Sequence, residues 1–135
     1  MPYVYTNVAT LRKTDKVGST QCVALVQIYA GAPNTSNWRR GASVLANRAI
    51  VPGTAIATFV NGRYLSKPHG NHAALFLRQG VDGFWVMDQW KDDPTKPSRP
   101  VLDRFIPALR LPQNKDGSWP RASNNANAFA VIEVR

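Results

Sequence analysis

The chain has 135 residues, 44% hydrophobic and 19% charged, with a formal net charge of +9, two histidines and one cysteine. That length suits one domain over residues 1–135, and no apolar run approaches the ~18 residues of a membrane-spanning helix. A lone cysteine closes no internal disulfide, and with only two histidines a structural zinc site is disfavoured.

Met1-Pro2-Tyr3-Val4-Tyr5-Thr6-Asn7 lacks the basic-then-apolar order of a secretory signal. The expectation is synthesis in the cytoplasm, with any export by a route independent of signal peptides. Tyr3 to Val8 alternates weakly and reads as an edge strand, and Leu11 to Lys16 as a charged loop. Val17 to Ala30 then runs from a polar start into a nearly all-apolar stretch carrying the single cysteine, Cys22. Ser19 or Thr20 suits the N-cap, because a hydroxyl there accepts from the free N–H groups of the first turn. From Cys22 onward only Gln27 is strongly polar, the pattern of a buried helix. Gly31 and Pro33 end it.

Trp38 to Asn47 reads as a second helix, with Trp38, Ala42 and Leu45 on one face and Gly41 weakening it. Thr54 to Val60 has the β-branched content of a strand, and Asn61-Gly62 is a hairpin turn before a short return strand over Arg63 to Leu65. After the loop Lys67-Pro68-His69-Gly70-Asn71, the segments His72–Arg78 and Phe84–Trp90 form an antiparallel hairpin around Asp82-Gly83. Lys91 to Pro100 is loop, and Val101 to Ile106 a short strand. Pro107 to Asn127 is a long irregular segment of the kind that often serves a site. Ala128 to Val134 closes the chain as a strand. A helix early and strands later give an α+β fold with a mostly antiparallel sheet.

The chemistry starts at Cys22. A helix N-terminus favours thiolate over thiol, and thiolate is the nucleophile. A buried core cysteine would fit the same pattern. A cysteine nucleophile needs an imidazole to take up its proton and return it to a leaving amine. His72 enters a strand and is held rigidly, whereas His69 lies in a Pro-His-Gly loop, so His72 is the better base and His69 a substrate-loop residue. With the hairpin centred near Gly80, His72 lies opposite Asp88, with Gln89 next in line. Asp88 occupies an otherwise apolar strand, a costly place for an unpartnered carboxylate. A register slipped by one residue would present Gln89 instead. Gln21 either donates to a developing oxyanion beside the Cys22 N–H or is a solvated first-turn residue. Trp38, Tyr64 and Trp90 are candidates to line a groove, and Trp38 with Arg39 and Arg40 could hold substrate carboxylates.

The order Gly18-x-x-Gln21-Cys22, a Pro-Gly turn into the strand Gly53 to Phe59, His72-Ala73-Ala74-Leu75-Phe76, and an acid on the next strand resembles the CHAP family (cysteine, histidine-dependent amidohydrolase/peptidase), within the papain-like bacterial cell-wall cysteine peptidases. Val23 stands where that family often carries tryptophan, and Asp88 where it often carries Glu or Asn. The resemblance implies a papain-like α+β domain, its N-terminal catalytic helix packed on a partly barrel-like sheet. It implies a Cys22–His72–Asp88 triad that needs neither metal nor organic cofactor and cleaves amide bonds of peptidoglycan. Small size and a missing signal suit an antibacterial effector delivered by a specialised secretion machine, with an inhibitory immunity protein as a possible partner. A wall-binding module without activity is the alternative. The +9 charge raises nucleic acid as a third partner class, but its dispersion makes that the weakest of the three.

Overall fold

In the computed structural model, which describes residues 2–134, one helix, α1 (Cys22–Ala30), precedes six strands. These are β1 (Trp38–Ser43), β2 (Ala55–Thr58), β3 (Ala73–Gly80), β4 (Gly83–Asp88), β5 (Leu102–Pro107) and β6 (Phe129–Val134). They form an antiparallel sheet in the order β1-β6-β2-β3-β4-β5. The fold is α+β as expected, but the sheet is open: β1 and β5 are its two edges, and it does not close into a barrel.

Strand alternation divides the interior into two layers. Ala55, Ala57, Ala73, Leu75, Met87, Ala130 and Ile132 face α1 and pack with its Leu25 and Val26. Four alanines on that face leave room for the helix to lie close to the strands. Leu25 and Val26 are fully buried, and each such side chain contributes about 1.5–3 kcal/mol from burial. The helix is not buried all round, however, since Ile28 is 55% exposed. On the other face Ile56, Ala74, Phe76, Phe84, Val86, Ile106 and Phe129 form a bulkier layer, covered by short 3-10 turns at Ala122–Asn124 and Ala126–Ala128. Those turns lie within the long segment expected to be irregular.

The segment expected to be a second helix is the edge strand β1. Trp38 is fully buried and the burial alternates from there along the strand. Gly41 permits the pairing: a Cβ there would sit 2.7 Å from both the Val131 carbonyl oxygen and the Glu133 Cγ. The glycine that weakened a helix is thus the residue that lets β6 approach. Near the N-terminus the expected edge strand is reduced to a single bridge, Val4 with Thr54, followed by a 3-10 turn at Val8–Leu11. The return strand after Asn61-Gly62 likewise shrinks to bridges at Arg63.

Register in the β3–β4 hairpin carries the most consequence. Beside the turn Gly80 pairs with Gly83 and Gln79 with Phe84; beyond Leu77, Phe76 pairs with Val86 and Leu75 with Met87. Leu77 is therefore an extra residue, a bulge. Continuing the turn-end register without it would place Gln89 on the face of His72. The bulge reverses parity and places Asp88 there instead.

Candidate active site

Helix α1 begins at Cys22, and Gln21, not Ser19 or Thr20, is its N-cap, in extended conformation and without a side-chain cap bond. The approach is a tight loop with Gly18 and Thr20 at positive φ (59° and 69°). That loop is held from beneath by Gln89, which is fully buried. Its Oε1 accepts from the Val17 N–H (3.0 Å), and its Nε2 donates to the carbonyls of Val17 (3.1 Å) and Gln21 (2.8 Å). Gln89 thus fixes the entry to the helix and stands on the helix side of the sheet, away from His72.

His72 immediately precedes β3 and is tied to β2: its N–H donates to Thr58 Oγ1 (3.0 Å) and its carbonyl accepts from the Thr58 N–H (3.0 Å). Its ring Nε2 lies 2.8 Å from Asp88 Oδ2. Asp88 is diagonal to His72 across the hairpin and not directly opposite; the bulge keeps the two on one face. The same ring adjoins Cys22, close enough for each group to shift the other's proton affinity. Cys22 is half-buried at the floor of a cleft of about 950 Å³ whose walls include Gln21, Tyr64, His69, Asn71, His72 and Trp90.

Burial pushes the Cys22 thiol up, but the His72 hydrogen bond and charge, the Ala73 N–H and the Tyr64 hydroxyl outweigh it, leaving the thiol below its ordinary value of 9.0. Burial pulls His72 down; the bonds and charges of Asp88 and Cys22 overcome this and raise it from 6.5 to about 9. Both shifts favour a thiolate beside an imidazolium over the neutral pair. Burial raises Asp88, yet His72, Arg104 and Arg99 hold its carboxyl below the usual range. Tyr64, buried and facing a thiolate, is pushed well above the ordinary phenol.

The arginines around Asp88 were not singled out in the sequence. Arg99 Nη2 lies 2.9 Å from Asp88 Oδ1, and Arg104 Nε 3.0 Å from Oδ2. Arg99 also stacks 4.1 Å above the Trp90 ring. A signal was present: a carboxylate in an apolar strand requires compensating cations, and Arg104 has the parity in β5 to reach it.

The other candidates divide. Tyr64 reaches the site, its hydroxyl 3.8 Å from Cys22 Sγ. Trp90 and exposed His69 line the cleft. Trp38 does not: it is fully buried, its Nε1 bonded to the Pro33 carbonyl (2.9 Å) and its ring 4.9 Å from that of Tyr64. Arg39 bonds the carbonyls of Ser36 and Trp38 and, with Arg40 and Arg63, lines a different, shallow depression. Both expectations failed because Trp38 and Arg39 were placed on a helix that is the far edge strand.

A family model described as domesticated amidase effector 2 matches residues 5–132. The chain is 50% identical over 135 residues to the type VI secretion amidase effector 2 protein of Salmonella typhi, covering 98% of this chain and 100% of that protein. It is 40% identical over 124 residues to domesticated amidase effector 2 of Ixodes scapularis, covering 87% of this chain and 74% of that one. A solved structure of type 6 secretion amidase effector 2 (Tae2) is similar with a TM-score of 0.91 at 49% identity, covering 100% of this chain and 96% of that chain. The chain belongs to the domesticated amidase effector 2 family.

Proposed function

We propose that this chain is a cysteine amidase that hydrolyses amide bonds of bacterial peptidoglycan through a Cys22–His72–Asp88 triad. The observation that carries the reading is the contiguous line of sulfur, imidazole and carboxylate at the N-terminus of α1, on the floor of the cleft. The Cys22 thiolate attacks the scissile carbonyl. The oxyanion forms beside the Cys22 N–H in the first helical turn, where Gln21, exposed and free of any cap bond, can donate from its side chain. His72 gives its proton to the leaving amine, then takes one from water, which attacks the thioester and frees the thiolate. Asp88 holds the imidazole in the orientation both transfers require.

The single helix bearing the nucleophile, packed on a sheet that supplies base and acid, supports a papain-like arrangement in one domain and kinship with CHAP enzymes. The relatives' names, which join amidase effector with type VI secretion, support delivery by such a system to the cell wall of a competing bacterium. They also support an immunity protein that blocks the cleft in the producing cell.

Purified peptidoglycan incubated with the protein and with Cys22→Ala tests the reading. Mass spectrometry should find new fragments bearing free amine and carboxylate ends only with the wild type. Identical fragment profiles would end the proposal.

A further inference from the structure

The bonds around Asp88 do not stop at the triad. Arg104, whose Nε engages Asp88 Oδ2 (3.0 Å), also donates from Nη1 to Asn124 Oδ1 (2.7 Å) and from Nη2 to the Ser123 carbonyl (3.1 Å). The Ser123 hydroxyl donates to the Asn71 carbonyl (3.0 Å), and Asn71 Oδ1 accepts from the Tyr64 hydroxyl (3.3 Å), which stands 3.8 Å from Cys22 Sγ. The chain of contacts leaves the nucleophile through His72 and Asp88 and returns to it through Arg104, Ser123, Asn71 and Tyr64.

We propose that Arg104 is a positioning residue of the reaction: it joins Asp88 to the Ser123–Asn124 turn, and its charge tunes the Cys22–His72 pair. This rests on the triad reading above. The long segment before β6 then serves the chemistry through this turn. Arg99 also grips Asp88, but through Oδ1 and the backbone carbonyl. Only Arg104 shares the oxygen that faces His72, lines the cleft and reaches the turn. By occupying one direction at Oδ2 it leaves His72 the other.

The charged and titratable groups facing the pair are Cys22 from α1, Tyr64 from the loop after β2, Asp88 from β4, and Arg99 and Arg104 beyond it. Lys67, Lys91, Lys96 and His69 stand on the cleft wall. An anionic Asp88 alone would grip the imidazolium and make it a reluctant donor to the leaving amine. A guanidinium on the same oxygen offsets that grip and also favours the thiolate. Removing it should raise the proton affinities of both Cys22 and His72.

The test compares Arg104→Gln, Arg104→Lys and Asn124→Ala with wild type, each shown to be folded by circular dichroism. Two pH profiles are read: turnover of purified peptidoglycan fragments, and iodoacetamide alkylation of Cys22 without substrate. Arg104→Gln should lower kcat about tenfold or more with KM within about twofold, and move both limbs upward by about half a pH unit or more. Arg104→Lys should restore the limbs but only part of kcat. Asn124→Ala, which loosens the guanidinium and keeps its charge, should lower kcat a few-fold with the limbs unmoved. Limbs that stay put in Arg104→Gln would overturn the tuning role, and unchanged kcat in Asn124→Ala the role of the turn. Should Arg104→Gln fail to fold, the lysine variant decides: wild-type limbs with lowered kcat support the proposal, and wild-type kcat overturns it. Wild-type Cys22 reacting no faster than free cysteine would sink the triad itself. A reactive Cys22 with indifferent Arg104 variants would sink only this inference.

Discussion

The two faces of the sheet solve different problems. The helix face is floored by Ala55, Ala57, Ala73 and Ala130, and these small side chains leave room for α1 to pack there through Leu25 and Val26. The opposite face carries Phe76, Phe84 and Phe129, and its charged groups (Asp88, Arg99, Arg104) are gathered at one end under Trp90. Cys22 comes from the first face, and His72 and Asp88 by strand parity from the second. They meet where His72 stands just outside β3. Gln89 and Asp88 are neighbours in sequence and serve opposite faces, Gln89 holding the loop before Cys22 and Asp88 bonding His72. A reaction centre at the end of a sheet can draw rigid groups from both layers without opening either core.

Exchanging the two neighbours in the double variant Asp88→Gln/Gln89→Asp should break this division most severely. It leaves the composition unchanged, but presents an amide to His72 and turns the carboxylate toward the Val17–Gln21 loop and the alanine floor. Peptidoglycan turnover should fall at least about a thousandfold, since the triad loses its acid and the helix its anchor. Turnover within about tenfold of wild type would show that the face a residue occupies does not select the acid.

Leu25→Ala tests the helix layer alone. A fully buried leucine lost from a well-packed layer should cost about 2–5 kcal/mol in urea denaturation. Because the cavity lies beneath α1 and not in the triad, the His72–Asp88 contact should survive. A folded variant whose Cys22 is still alkylated rapidly would support the separation of the layers, and loss of thiol reactivity at full folding would contradict it.

The smallest effect is thermodynamic. His72, raised from 6.5 to about 9 on folding, adds stability that is full below 6.5 and lost as pH rises through 9. Cys22, lowered from 9.0, adds stability that is full above that value and lost as pH falls through its folded value. Where thiolate and imidazolium coexist, the folded protein binds one proton more at His72 and one fewer at Cys22, so wild-type stability should be nearly flat. In Cys22→Ala only the His72 effect remains, and the melting temperature should fall as pH rises above 6.5. Parallel melting curves for the two proteins across that window would exclude the ion pair.

Much of the site was legible in the chain because its members sit where local rules are strong. Cys22 opens an apolar helix, His72 enters a strand after a Pro-His-Gly loop, and Asp88 is a lone acid in an apolar run. What was misread depended on partners distant in sequence. Trp38 and Arg39 satisfy a helical spacing as well as a strand, and only pairing with β6, at the other end of the chain, decides between them. The arginines around Asp88 lie in loop and edge strand, where no periodicity marks them.

By itself the sequence determined the helix, the hairpin, the α+β class and the cysteine, histidine and aspartate that the fold brings together, since caps, turns and alternation act over a few residues. Only the tertiary structure decided that the sheet stays open, that Gln89 supports the loop while Asp88 meets His72, and that Arg99 and Arg104 neutralise the buried acid. Those outcomes turn on one bulge at Leu77 and on contacts between distant segments, and a shift of one residue in register exchanges every side chain between faces at no cost visible in local pattern.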